Sequence, residues 1–311
     1  MKAKHLSRFL KHPVGLKRWK SKIIFSLIIF LFIISINVMP NLFRHLNKTL
    51  KQVQGDSVLL VQHESTSHIA CPFTKGVYEE GISQKEKISV RGLIVPHHLL
   101  ARDLIINALK MISPGIKTII LIGPNHQNYG KADLQVSAGK WQTQFSLLEP
   151  ESSLIEKINK QQLASIEEDN FDTEHSVCGL VSFLKIYFPK AKIIPLIVKS
   201  GTTEEEVNNL ADFLSKNCKD CLMVASVDFS HEESHVKSGE NDLISTRILE
   251  KLDLQNLDNV TVDSPPTLSI LLNYLKNIGI KEGELIESSD SFLISGQSPE
   301  SVTSYITMVF E

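Results

Sequence analysis

From residue 87 onward two hydrophobic rhythms alternate along the chain. Short apolar, β-branched runs of strand length fall at 88–95, 118–122, 193–198, 222–227 and 305–310. Between them, apolar positions recur at helical spacing over 99–112, 177–188, 204–217, 240–252 and 267–278. Strands alternating with helices predict an α/β domain over 87–311, a mostly parallel central sheet with helices on both faces. Pro265-Pro266 suits the start of the last helix, because proline lacks the donor that a first turn leaves unused.

Ahead of the domain the rhythm changes. Residues 40–86 are polar and weakly periodic and read as a stalk. Residues 23–39 carry no charge over seventeen positions, and Pro40 closes the run. That is near the lower length for crossing a bilayer core. Residues 1–22 hold eight Lys or Arg and no acid. No small-x-small cleavage site follows, so the pattern predicts one uncleaved transmembrane helix rather than a signal peptide. By the positive-inside rule the tail 1–22 stays cytoplasmic and the domain lies extracytoplasmic, in a single-pass membrane protein.

Composition sharpens this picture. A hydrophobic share of 42% and a charged share of 22% are ordinary for a globular chain of 311 residues with a sizeable core. Setting aside the eight N-terminal cations leaves 25 Lys and Arg against 35 Asp and Glu, a net of −10. An acidic body argues against nucleic acid as a partner, since phosphate binding needs clustered cations. The membrane and a small-molecule or peptide ligand are the expected partners. Cys218 and Cys221 form one CxxC without a second pair, which favours a local disulfide or two free thiols over zinc. Cys71 and Cys178 have no partner that sequence assigns.

In open α/β sheets ligands bind beyond the C-terminal ends of the strands, so the residues after each apolar run carry the functional expectation. Three runs deliver histidine there: Pro96-His97-His98, Gly123-Pro124-Asn125-His126 and Asp228-Phe229-Ser230-His231. A fourth, His175, lies in Asp172-Thr173-Glu174-His175-Ser176, just before a predicted helix. One histidine after a strand is usually a hydrogen-bonded loop residue. Several on ends that converge predict a metal or acid–base site, since imidazole is both a neutral ligand and a proton carrier near neutral pH.

At these residues the chain resembles Memo-like proteins, also called AmmeMemoRadiSam system protein B, which are related to class III extradiol dioxygenases. Val95-Pro96-His97, Gly123-Pro124-Asn125-His126, Glu174-His175-Ser176 and Ser226-Val227-Asp228-Phe229-Ser230-His231 carry it, in order, over about 88–311. The resemblance implies that His97 and His126 bind a divalent metal and that Asp228 and His231 line the same pocket. It places Asp263, ahead of Pro265-Pro266-Thr267-Leu268, at the third ligand position, which is cysteine in some members. Two histidines and one carboxylate favour Fe(II), with Zn or Cu as alternatives. His231 would then be the acid–base group with Asp228 orienting it, and Glu174, His175 and Asn125 would complete the pocket. The chain departs from the family at Pro96-His97-His98-Leu99-Leu100, where a glycine and an aromatic are lost, and at Cys178, which replaces a glutamate. His98 is expected to start a helix and point away, the alternative being a spare ligand.

Other readings fit less of the chain. His231-Glu232-Glu233-Ser234-His235 matches the HExxH zinc-protease pattern, which needs both histidines one turn apart on a helix with an apolar face. The segment 231–241 is nearly all polar. A non-catalytic module of the same fold, binding a small ligand or peptide, is the other alternative. The acidic runs 167–169 and 204–206 read as solvated faces; the second follows Thr202-Thr203 and suits a helix start.

Overall fold

The computed structural model describes residues 68–70 and 88–311. The expected tail 1–22, the anchor 23–39 and the stalk 40–86, apart from 68–70, lie outside the described residues. Among the described residues no helix is long and apolar enough to cross a membrane.

In chain order the strands are β1 (His68–Ala70), β2 (Gly92–Val95), β3 (Thr118–Pro124), β4 (Leu134–Val136), β5 (Lys140–Gln142), β6 (Leu147–Leu148), β7 (Ser165–Ile166), β8 (Lys192–Val198), β9 (Leu222–Ser226), β10 (Glu284–Asp290) and β11 (Ser304–Phe310). The α-helices are α1 (Arg102–Met111), α2 (Ser152–Lys160), α3 (His175–Tyr187), α4 (Glu204–Asn217), α5 (His235–Glu250), α6 (Pro265–Asn277) and α7 (Ser291–Ser295). Eight strands form one sheet in the order β10-β11-β2-β9-β3-β8-β4-β7. Its centre, β2-β9-β3-β8, is parallel, as expected. β11 runs antiparallel to β2, and β4 antiparallel to β8. β1 pairs in parallel with β5 in a separate small sheet, so a strand within the stretch read as stalk is joined to the domain.

The period-two geometry of strands splits their apolar residues between two layers. Leu93, Val95, Ile119, Leu121 and Val224 pack with α1 and α3. Ile94, Ile120, Ile122, Met223 and Ala225 pack with α4 and α6. The sheet is therefore covered on both faces. Register levels the central strand ends, with Val95 opposite Ser226 and Ile122 opposite Ala225, so the segments that follow emerge side by side. Gly123 lets the start of α3 close onto β3: a Cβ there would lie 2.7 Å from the Ser176 side chain.

Two expectations need correction. The helix expected at 240–252 begins at His235, after Ser234 caps it by accepting the Lys237 N–H. Its buried positions are Ser238, Asp242, Ser245, Thr246 and Leu249, so the usual apolar stripe that marks a helix is missing. The apolar run expected as a strand from 88 pairs as a strand only from Gly92, Ile88 making an isolated bridge to Ile112.

Candidate metal centre

Four segments carry the site, each fixed by backbone geometry. His97 follows β2 and is buried. Its backbone N–H donates to Asp228 Oδ1 at 3.1 Å, tying the loop after β2 to the loop after β9. On the ring, Nδ1 lies 3.4 Å from Ser226 Oγ, whose own proton goes to the Ser176 carbonyl. The hydroxyl can then only accept, so Nδ1 carries the hydrogen and Nε2 keeps its lone pair. That Nε2 faces two carboxylate oxygens, Asp228 Oδ2 and Asp263 Oδ2, both at 3.5 Å.

His126, after β3, repeats the arrangement. Its Nδ1 bonds Glu174 Oε1 at 2.8 Å, and its backbone N–H donates to Glu174 Oε2 at 2.9 Å. Nε2 is left facing Asp263 Oδ2 at 3.9 Å. Glu174 is also the cap of α3, accepting the Ser176 N–H, so one buried carboxylate sets both the helix start and the imidazole. Burial works against ionisation of Glu174. The hydrogen bonds from His126 and Ser176 prevail and pull its carboxyl down to about 2. For His126 burial again opposes the charged form, and bonding to Glu174 outweighs it, raising the imidazole above its ordinary value.

His175, the first residue of α3, stacks on His126 with ring centroids 4.0 Å apart and meets His97 edge-on at 4.9 Å. Ligand atoms of His97, His126 and His175 lie within 4.8 Å of one another, so the three could hold a metal ion. Donors that share one tetrahedral ion stand about 3.4 Å apart, given metal–nitrogen bonds of about 2.1 Å. The 3.5 Å and 3.9 Å separations to Asp263 are near that value.

Asp263 and Asp228 supply the electrostatic signature. The Asp228 N–H donates to Asp263 Oδ2 at 3.2 Å, and the Asp263 N–H returns a bond to the Asp228 carbonyl at 3.0 Å. Asp263 Oδ1 is buried without a hydrogen-bond partner. Burial, and then the charge of Asp228, push the Asp263 carboxyl up to about 8. Burial likewise raises Asp228. Burial, then the neighbouring histidine charges, hold His97 well below its ordinary value. The Nε2 atoms of His97 and His126 thus stand near one oxygen of Asp263, and that of His97 near one of Asp228 as well, while the second Asp263 oxygen is buried without a partner. A divalent cation would meet every one of these demands, so the residues fit a metal.

The remaining expected residues are placed differently. Asn125 is buried, but its side chain spans the following turn, donating to the Tyr129 carbonyl and accepting the Tyr129 N–H. It holds the loop that carries His126. Asp228 engages His97, and among the described residues no hydrogen bond joins it to His231. His231 is exposed, and its charge still lowers the Asp228 carboxyl. His98 sits at the cap of a short 3-10 turn, Leu99–Ala101, with Nδ1 against the Tyr305 hydroxyl at 2.5 Å. Tyr305, buried at the start of β11, carries no local motif, and its apolar surroundings mark it only as core. The HExxH pattern fails on geometry. His231 precedes the cap of α5, and His235 is bonded to Asp290, so the pair does not share a helix face.

Comparison with known proteins places the chain in a family. The pattern of the family described as Memo-like protein matches residues 64–309. The chain belongs to the Memo-like family. A MEMO1 family protein of Aquifex aeolicus (strain VF5) is 28% identical over 241 residues, covering 74% of this chain and 89% of that protein. One of Sulfurisphaera tokodaii is 30% identical over 207 residues, covering 63% of this chain and 72% of that protein. The Memo-like match reaches back to residue 64, beyond the 88 expected from the motifs, and takes in β1.

Proposed function

We propose that this Memo-like domain is a non-haem metal protein that performs redox chemistry of the dioxygenase type on a small molecule, with Fe(II) held by His97, His126 and Asp263. The observation that carries the reading is Asp263. Its Oδ2 stands beside two Nε2 atoms that hydrogen bonding has already oriented, while its buried Oδ1 has no hydrogen-bond partner. Two histidines and a carboxylate are the donor set favoured by Fe(II), which when bound supplies open positions for substrate and oxygen. Ser226 and Glu174 fix the two imidazole tautomers, Asp228 anchors the His97 backbone, and exposed His231 is the group available to move a proton at the rim.

His175 supports a second reading. With His97 and His126 it makes a three-histidine set, the ligand type of catalytic zinc. Metal content of the protein purified without oxygen separates the two. Under the iron reading Asp263→Ala loses stoichiometric iron and His175→Ala keeps it. Zinc that survives Asp263→Ala and is lost with His175→Ala establishes the other. No bound metal after reconstitution overturns both and leaves a ligand-binding module.

We further propose that the chain is held at a membrane by 23–39 with the domain on the extracytoplasmic side. Support comes from the cations of 1–22 and from the cysteines: Cys218 pairs with Cys221, and Cys178 is also disulfide-bonded. Disulfides persist outside the reducing cytosol.

A further inference from the structure

α5 is built inside out. Ser238, Asp242, Ser245 and Thr246 face inward, while Val236, Leu243 and Ile244 are exposed by 71%, 61% and 45%. Part of the inner side is paired: Asp242 accepts the Ser304 hydroxyl and Asn241 donates to Ser230 Oγ, while the buried Ser238 hydroxyl has no partner. The outer side needs another account, because single exposed apolar residues are ordinary but a row of them on one helix face is not.

The outer row has an order. Val236, Glu240, Leu243, Arg247 and Glu250 follow the 4-3-4-3 spacing of a helix-packing seam, with Lys237, Ile244 and Lys251 along its flank. Read backwards from a point between Leu243 and Ile244, this row complements itself. Leu243 meets Ile244, Glu240 meets Arg247, Lys237 meets Glu250, and Val236 meets the aliphatic stem of Lys251. Each acid on the row falls opposite a base. Within one chain Lys237 pairs with Glu240 at 3.4 Å, a half-exposed pair of little strength that is free to re-pair. Self-complementarity under reversal is what a two-fold axis across a helix requires, because both copies then present the same patch.

We propose that the domain forms a homodimer through an antiparallel contact of α5 with its symmetry mate, centred between Leu243 and Ile244. The occupant of the exposed face is a second copy of this chain. The contact also bears on the metal centre, since the inner face of α5 holds Ser230 and Ser304, which border the Asp228–His231 loop.

Sedimentation velocity of the full chain in detergent, over a dilution series, tests this. The wild type is expected to dissociate on dilution as a dimer. Arg247→Glu and Glu240→Arg each place like charges together twice across the axis and should weaken the dimer by about tenfold or more. The double variant Glu240→Arg/Arg247→Glu reverses the pairs and should restore the wild-type constant. These positions are exposed, and circular dichroism melts report folding of each variant. A wild type that stays monomeric overturns the proposal. So does a dimer insensitive to the charge variants, as expected for association through 23–39. A charge-dependent dimer without rescue in the double variant also overturns the antiparallel register.

Discussion

At the scale of single residues, the site rests on two carboxylates with opposite tasks. Glu174 is held ionised by donors that surround it, and it fixes the tautomer of His126. Glu174→Gln keeps an oxygen for the Ser176 N–H but removes the charge that holds the imidazole. Metal affinity should fall by about 10- to 100-fold, with little change in helix content, in a competition titration against a chelator. Asp263 is the reverse case, a carboxylate that the metal-free fold tolerates poorly. Asp263→Asn keeps an acceptor for the Asp228 N–H and removes the charge that burial and Asp228 oppose. Its metal-free melting temperature should therefore rise above that of the wild type, while the stabilisation on adding metal disappears. A variant that lowers both would show that Asp263 serves packing rather than metal. Sequence made His97 and His126 legible because strand ends in a parallel sheet converge, and His175 because it stands just ahead of a predicted helix. It did not reveal that Asp228 serves His97 or that Asn125 serves its own loop, because those depend on which atom faces which.

At the scale of elements, the sequence was legible wherever burial was apolar. The central strands and α4, whose Thr203–Glu206 capping box follows the expected helix start, are found where the periodicity put them. The short strands of 134–166 were not legible, since two or three residues carry too few positions for a period. β10 was missed because its sequence, ELIESSD, is mostly polar at a sheet edge. α5 began earlier than expected for a related reason: its buried face is polar. That face makes a prediction. Burial, followed by the charge of Asp290, raises the Asp242 carboxyl from 3.8 to about 6, against the Ser304 hydrogen bond. An acid whose folded value exceeds its unfolded one stabilises fully below the unfolded value, and that contribution is lost as pH rises through the folded one. The window is therefore about 4 to 6. Asp242→Asn keeps the Ser304 contact without the charge. It should melt higher than wild type by roughly 2–8 °C near pH 7.5, and by little near pH 4. Equal shifts at both values would trace the effect to packing instead.

At the scale of the whole molecule, chemistry and location constrain each other. A site that takes a divalent metal by donor geometry draws on whatever metals and reductants its compartment offers. The cysteines bear on the proposed location: Cys178, Cys218 and Cys221 are all disulfide-bonded, and Cys218 and Cys221 are buried against the Tyr274 hydroxyl contacts that close α4 onto α6. An oxidising exterior keeps such bonds, and it lacks the pool that would keep iron in the ferrous state without a partner reductant. Topology is thus the property on which the metal reading depends most. Protease treatment of intact cells carrying a C-terminal tag should remove the tag, and non-reducing denaturation should leave these three cysteines unreactive to maleimide. A protected tag together with reactive thiols would place the domain in the cytosol. There the same donors would meet reduced iron directly, and the segment 23–39 would need a role other than a span with its C-terminal side outside.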